Sequence, residues 1–411
     1  MARRLREAGF EAWLAGGCVR DHLLGKVPKD WDIATDARPE QVQGIFRRTV
    51  AVGAAFGVVR VIRKPGFEYE VATYRADGEY VDGRRPTEVH YSKSRREDVE
   101  RRDLTINALL MDPESGEIED HVGGRADLEA GLVRAVGEPT RRFAEDRLRM
   151  LRAVRFAARL GFAIEAETWS AMVAEARHLH AVSPERISQE LEGIFVGPDP
   201  ALGVALLETS GLGSACLPVS RRSDLSVCFA RARGFELAPE ARIALGWALV
   251  HVDVPREGLE DALRARKLSR SAMRVIRAAL DAWDTVRDPA RPRVDVLRWA
   301  DGEHAPLVDA LVASVAPPPV EVAWDTVPPR SVEAPAPVSS TEETRWREAR
   351  AFLRAHPPAN EARLGGKDLL AMGASPGPHL KDIIAQIEGA VLEGRVRTKV
   401  QAEALARTLI G

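Results

Sequence analysis

Two aspartates, Asp30 and Asp32, flank Trp31 directly ahead of the apolar run IAT. On an extended strand, residues two apart project from the same face, so these carboxylates can share divalent cations as hard oxygen ligands. A third carboxylate is available in the alternating run EYEVATYR, where Glu68 and Glu70 share one face. Pairing of the two runs would complete a magnesium site, able to activate an attacking oxygen and to neutralise a leaving phosphate. Spacing alone does not choose between Glu68 and Glu70. Upstream, Gly16 and Gly17 follow a short apolar strand and precede an amphipathic stretch, which lets a phosphate approach backbone N–H groups at a helix start.

A second constellation is EDRLR, from Glu145 to Arg149. On one helix Asp146 and Arg149 stand three apart on a shared face, and Glu145, four before Arg149, can brace its guanidinium. A carboxylate beside a guanidinium accepts from an exocyclic amine and donates to a ring nitrogen. Cytosine offers its N4 amine with N3, and adenine its N6 amine with N1. Uracil and guanine present a carbonyl and a ring N–H instead, leaving buried groups unpaired at about 1–3 kcal/mol each. One protein pair can therefore accept C and A and refuse U and G. Residues 141–160 also hold seven arginines against only Glu145 and Asp146, a local charge of +5. Arg152, Arg155 and Arg159 fall on one face, suited to triphosphate or RNA backbone. Asp103 and Asn107 are further polar side chains, in the otherwise apolar run of RRDLTINAL.

The elements that must position these groups follow from periodicity. Short apolar runs broken by Gly and Asp, from Trp13 to about Val136, read as a mixed α/β domain on a sheet. Beyond Thr140 the apolar spacing becomes three and four. Phe143, Leu148, Leu151, Val154 and Ala158 predict one buried stripe on one helix, stopped near Gly161. Ser183 as cap and Pro184 as first residue announce the helix ERISQELEGIF. Helical patterning continues to about Val315. Seven prolines between Pro317 and Pro337 then predict an extended linker, followed by KDLLAMG, a turn SPGP and the helix HLKDIIAQIEGAVLEG.

The 411 residues are too many for one domain of ordinary size, and 59 Lys plus Arg against 61 Asp plus Glu give a formal charge of −2. That balance excludes a globally basic nucleic-acid coat, so any polyanion must meet a local patch. Cys18, Cys216 and Cys228 have no CxxC spacing, which argues against a disulfide framework or thiolate zinc site and fits a reducing cytoplasm. Without a long apolar run, no membrane partner is expected. His178 and His180, two apart on a helix, diverge and read as surface histidines.

Taken in order, GGCVRDHLLGKVPKDWDIAT, RRDLTINAL, the segment from Asp120 to Phe162 and ERISQEL resemble the motifs of the class II tRNA nucleotidyltransferases, the family of CCA-adding enzymes and bacterial poly(A) polymerases. The match is close to continuous over residues 11–195, and GKDLLAMGASPGPHLKDII is similar to a C-terminal segment of bacterial CCA-adding enzymes. The resemblance implies an α+β fold: a polymerase-β-like nucleotidyltransferase head with a small mixed sheet (1–137), then an all-α neck carrying the nucleotide-selecting helix (138–197), body (198–315) and tail contacting tRNA (343–411), with the proline-rich linker at 316–342.

It also implies transfer of C, C and A from CTP and ATP to the tRNA 3′ end with Mg2+. Asp30, Asp32 and Glu70 would be the metal-binding catalytic carboxylates. Gly16, Gly17 and Arg20 would hold the triphosphate, although Arg20 and Asp21 would otherwise read as an ordinary surface pair. Arg102, Asp103 and Asn107 would belong to the sugar-reading motif, with Asp103 accepting from the ribose 2′-hydroxyl. Asp146 and Arg149 would act as a protein template, with Arg152 and Arg155 beside them. ERISQEL is expected to be structural, with Glu185 and Arg186 in an ion-pair network. The polar loop from Asp77 to Ser94 argues for A addition, because enzymes that add only CC are expected to lack it. RTVAVGAAFGVVRVI looks like the CCA type rather than the poly(A) polymerase type. The competing expectations are an A-adding partner of a split system, a poly(A) polymerase, and an inactive RNA-binding or nucleotide-sensing relative.

Overall fold

The computed structural model describes residues 1–51, 57–64, 67–77, 89–217, 224–315 and 341–410. Residues 78–88 of the polar loop and 316–340 of the proline-rich segment lie outside them. The chain divides into two compact units, Met1–Val219 with Ala265–Lys267, and Ser220–Arg264 with Leu268–Gly411.

The first unit is built on a sheet of short strands. These are β1 (Trp13–Ala15), β2 (Ile33–Thr35), β3 (Thr49–Ala51), β4 (Val58–Lys64), β5 (Phe67–Thr73), β8 (Leu109–Met111) and β9 (Ile118–Asp120), in the spatial order β3-β4-β5-β2-β1-β8-β9. β6 (Arg75–Asp77) and β7 (Val89–Tyr91) form a separate antiparallel ribbon. Within the large sheet β2 and β5 run parallel and the remaining neighbours antiparallel, so the sheet is mixed, as expected. Alternation divides the side chains between two cores. Ile33, Val59, Val61 and Val71 pack with Leu5 of helix α1 (Ala2–Glu7) and Val42 of α3 (Pro39–Ile45). Ala15, Ala34 and Leu110 pack with Tyr74 and with Val99 of α4 (Arg95–Glu100). Between β1 and β2 lies α2 (Gly17–Leu23), and α5 (Gly124–Ala130) follows β9.

The neck corrects one expectation. The residues of the predicted stripe, Phe143, Leu148, Leu151, Val154 and Ala158, are all buried, and Gly161 ends the pattern in a left-handed conformation at φ +72°. The stripe is not one helix, however, but α6 (Pro139–Glu145) and α7 (Leu148–Leu160), with Asp146 extended between them at φ −150° and ψ 106°. The cause is local: Asp146 Oδ1 accepts the Leu148 N–H at 3.1 Å, so its side chain satisfies a backbone donor at the new helix start. After α8 (Ala166–Glu175), α9 (Pro184–Phe195) begins where Ser183 and Pro184 predict, although the Ser183 hydroxyl makes no capping bond.

The second unit has no strand among its described residues. Its helices include Pro239–His251, Arg270–Arg287 and Ala305–Val315. Near the C-terminus, Gly366–Ala371 and His379–Leu392 bracket the SPGP turn, and Lys399–Ile410 follows. Leu369, Ile383, Ile387, Val391, Ala402 and Ala406 form the core of this segment.

Candidate active site

A cavity of about 780 Å³ in the first unit collects residues from α2, the segment leading into β2, β5, the RRDLTINAL segment, α7 and α9. Every residue that the family resemblance assigns to the site lines it: Gly16, Gly17, Arg20, Asp30, Asp32, Glu70, Arg102, Asp103, Asn107, Asp146, Arg149, Arg152 and Arg155. Residues that sequence reasoning gave no part in the chemistry also line it, including Asp21, Lys29, Arg101, Phe156 and Arg186. Nine arginines and Lys29 face six carboxylates there, giving the polyanion patch that the whole-chain charge conceals.

The carboxylate wall follows from strand register. Ile33 pairs with Val71, Ala34 with Ala72 and Thr35 with Thr73, so one step back sets Asp32 beside Glu70 on neighbouring parallel strands. Ile33 and Val71 enter the core and the acids face the opposite way. Glu70, and not Glu68, reaches the cavity; Glu68 sits 3.3 Å from Arg60 Nε. Burial pushes the Asp32 carboxyl up to about 6, and the negative charges of Glu70 and Asp30 push in the same direction, against Arg102. This is an acidic group short of positive charge. All the donors are hard oxygens, the chemistry that suits Mg2+. Among the described residues no three acidic, histidine or cysteine side chains approach closely enough to hold a metal ion as they stand. Glu70 is the half-exposed member, drawn towards Arg60 at 3.5 Å, a contact weak enough to yield to a cation.

The glycine pair works differently from the expectation. The Gly16 N–H donates to Leu109 O at 3.1 Å and is not available to phosphate. Gly16 instead has φ +78°, and a Cβ there would stand 2.8 Å from Arg102 Nη1. Its lack of a side chain is what lets Arg102 lie against the loop. Arg102 donates from Nη1 to Asn107 O at 3.0 Å and from Nη2 to Asp98 at 3.2 Å, leaving its buried Nε–H without a partner. Arg20 is not a surface residue. It is buried, donates twice to Asp21 Oδ1 at 2.8 and 2.6 Å, and donates from Nη1 to Asn107 Oδ1 at 2.5 Å. Asp103 accepts from Arg152 Nε at 2.6 Å. Burial alone would raise its carboxyl, but the Arg152 charge and hydrogen bond hold it below the usual range.

Asp146 and Arg149 are supported from two sides. Glu145 Oε2 accepts from Arg149 Nη1 at 2.6 Å, the brace that the spacing predicts, and from Arg142 Nη1 at 2.9 Å. Asp146 Oδ2 accepts from Arg186 Nη2 at 2.6 Å. ERISQEL supplies an ion-pair network through Arg186 to Asp146 and Glu190 to Arg155, and Arg186 thereby enters the cavity, whereas Glu185, expected in that network, is exposed and takes no part in those pairs. The legible signal was the spacing of Arg186 and Glu190, four apart on one helical face. Phe156 was missed entirely: the guanidinium carbons of Arg20, Arg152 and Arg155 stand 4.9, 5.7 and 4.6 Å from its ring centroid. His178 and His180 bond to Glu175 and to the Arg177 carbonyl, away from the cavity lining.

The Poly A polymerase head domain family matches residues 12–134, and the family described as the probable RNA and SrmB-binding site of polymerase A matches residues 161–221. The CCA-adding enzyme of Anoxybacillus flavithermus is 35% identical over 405 residues, covering 96% of this chain and 92% of that protein. The chain belongs to the CCA-adding enzyme family. The CCA-adding enzyme of Geobacillus stearothermophilus is 36% identical over 400 residues, covering 97% and 92%. The crystal structure of the Bacillus stearothermophilus CCA-adding enzyme in complex with CTP superposes with a TM-score of 0.76 at 32% identity, over 99% of this chain and 95% of that one. The Thermotoga maritima CCA-adding enzyme complexed with tRNA has the same fold, with a TM-score of 0.69 at 19% identity over 99% and 93% of the two chains. The nucleotidyltransferase class and the head-plus-helical architecture expected from the motifs are those of a CCA-adding enzyme.

Proposed function

We propose that this chain adds C, C and A in turn to the 3′ end of tRNA, using CTP and ATP and releasing pyrophosphate. One observation carries the reading: a single cavity holds Asp30 and Asp32, just ahead of β2, and Glu70 of β5 together with Asp146 and Arg149. In the reaction the tRNA 3′-oxygen attacks the α-phosphorus in line, and the bond to the β-phosphate oxygen breaks. Asp30, Asp32 and Glu70 would hold Mg2+, which when bound lowers the pKa of the attacking hydroxyl and offsets charge on the departing pyrophosphate.

The protein's own groups supply position and choice. Arg152 and Arg155 flank Phe156 and offer guanidinium donors to the triphosphate, with Arg20 and the amide of Gly17 at the same end. Asp103, ionised through its pairing with Arg152, is an acceptor suited to a ribose 2′-hydroxyl. Asp146 would accept from the N4 or N6 amine while Arg149 donates to the ring nitrogen, so the pair accepts C and A alone. Domain roles follow the same assignment, with residues 1–137 as catalytic head, 138–197 as selecting neck, 198–315 as body, 316–342 as linker and 343–411 as the tail meeting tRNA. No helix among the described residues is long and apolar enough to cross a membrane.

The test is a tRNA-end assay with CTP, ATP and both together. Addition of three nucleotides followed by arrest is expected. A long A ladder would assign polyadenylation, addition only to tRNA ending in CC would assign A addition, and no product would assign an inactive relative.

A further inference from the structure

A second cavity, of about 680 Å³, lies in the same unit and shares no lining residue with the first. Its rim carries Arg3, Arg4 and Arg63 against the single carboxylate of Glu114, and its lining includes the rings of Trp31 and Tyr69. The placement of the rings follows from alternation. Trp31 stands between Asp30 and Asp32, and Tyr69 between Glu68 and Glu70, so both aromatics project to the face of the sheet opposite the acids. Ile33, Leu14 and Tyr69, which line this cavity, mark that opposite face.

The charge state of this cavity differs from that of the catalytic cleft. In the cleft Arg20, Arg101, Arg102, Arg149, Arg152, Arg155, Arg159 and Arg186 each have a carboxylate partner. Here Arg63 has no hydrogen bond or ion pair among the described residues, and Arg3 reaches Glu114 only at 3.5 Å with both side chains largely exposed. Arg4 is turned to the Ile45 carbonyl and lies 4.7 Å from the Phe46 ring centroid. Arg63, without a partner among the described residues, and Arg3, held only by a long and exposed contact to Glu114, share a lining with Trp31 and Tyr69, a combination that suits a ligand with both phosphate and a planar ring. The volume is within the range of small-ligand pockets and suits one nucleotide rather than a folded RNA.

We propose that this cavity is a second nucleotide-binding site, taking a mononucleotide with its phosphate at Arg3 and Arg63 and its base against Trp31 and Tyr69. The site is distinct from the triphosphate cleft, and the same two strands carry both.

Equilibrium dialysis of labelled ATP against the full chain tests it. Two molecules per chain are expected for the wild type, and one for the double variant Arg3→Glu, Arg63→Glu, whose CTP and ATP incorporation into tRNA is unchanged because neither residue lines the cleft. Both positions are on the exposed rim, so folding is preserved, and circular dichroism checks this. Trp31→Ala is expected to weaken the second binding event roughly tenfold. Inorganic phosphate at the same concentration is expected to compete poorly; competition equal to that of AMP would replace the nucleotide with a simple anion and overturn the proposal. A single bound molecule in the wild type, or two retained in the double variant, would also overturn it.

Discussion

Arg186 Nη2 stands 2.6 Å from Asp146 Oδ2, joining α9 to the break between α6 and α7. The carboxylate proposed to read the base amine is thus oriented by a helix some forty residues away in sequence, and its other oxygen is held by the Leu148 N–H. On that proposal, selection among nucleotides depends on tertiary packing of the neck.

Arg186→Ala should relax selection while leaving the transfer step itself in place. Misincorporation of UTP relative to CTP, measured as a ratio of kcat/KM values, is expected to rise about tenfold or more, in line with the ~1.5–3 kcal/mol of a charged hydrogen bond. Asp146→Ala should give a larger loss of selectivity than of triphosphate affinity. Unchanged ratios in both variants would remove the template assignment.

Asp32→Asn should abolish nucleotide addition without unfolding the protein. Its carboxyl is held up to about 6 chiefly by burial and then by Glu70 and Asp30, so a neutral amide relieves that repulsion. The expected signature is a Tm equal to or above wild type in EDTA, together with a rise in Tm on adding Mg2+ that the wild type shows and the variant lacks. A variant that still adds CCA would reject the metal assignment.

Asp98 offers a pH prediction. It is buried, accepts from Arg101 at 2.5 Å and from Arg102 at 3.2 Å, and also takes the Arg75 N–H. Burial alone would raise its carboxyl, but the two arginines and the hydrogen bonds hold it below the ordinary value. A depressed carboxyl contributes its full stability above the unfolded-state pKa and loses it as pH falls through the folded-state value. Urea unfolding followed from pH 7 into the acid range should show that loss in the wild type, with a shallower acid limb in Asp98→Asn. Removing the acid altogether with Asp98→Ala should cost up to about 3–5 kcal/mol at neutral pH, because it takes the shared carboxylate from two partly buried cations.

Gly16→Ala should damage both fold and activity. The position needs φ +78° and ψ −127°, and the new methyl would stand 2.8 Å from Arg102 Nη1. A cost of roughly 1–3 kcal/mol is expected from the backbone alone, read as a lower Tm, with nucleotide addition falling further as Arg102 is displaced.

The three cysteines are buried and form no disulfide, and burial pushes the Cys216 thiol up to about 12. No thiol should react with a disulfide reagent at pH 8 in the native chain, and all three should react in urea. Rapid labelling of the folded protein would contradict the burial.

Much of the cleft was legible because its chemistry is local. Asp30 and Asp32 both line the cleft just ahead of β2, and Glu145 braces Arg149 from four residues before it, across the break between α6 and α7, so both relations join near neighbours in sequence. What was not legible depends on pairing between distant segments. Choosing Glu70 on geometry rather than Glu68 required the register of β2 against β5, which brings Ile33 to Val71. The single-helix reading of residues 143–158 failed because apolar spacing cannot report that the Asp146 side chain competes with the backbone for the Leu148 N–H. Gly16 was read as a phosphate donor, but Leu109, more than ninety residues later, takes its N–H. Phe156 looked like one more apolar residue among arginines; only folding shows three guanidinium groups around its ring.

The arginines of the cleft are already engaged by carboxylates of the same chain, as in Arg152 with Asp103 and Arg155 with Glu190. An arriving triphosphate must therefore enter by exchange, displacing internal anions, and the ions set free into solution are few. Affinity for CTP should accordingly fall less steeply with added salt than a cleft of nine solvated guanidinium groups would require, and small inorganic anions should make weak inhibitors.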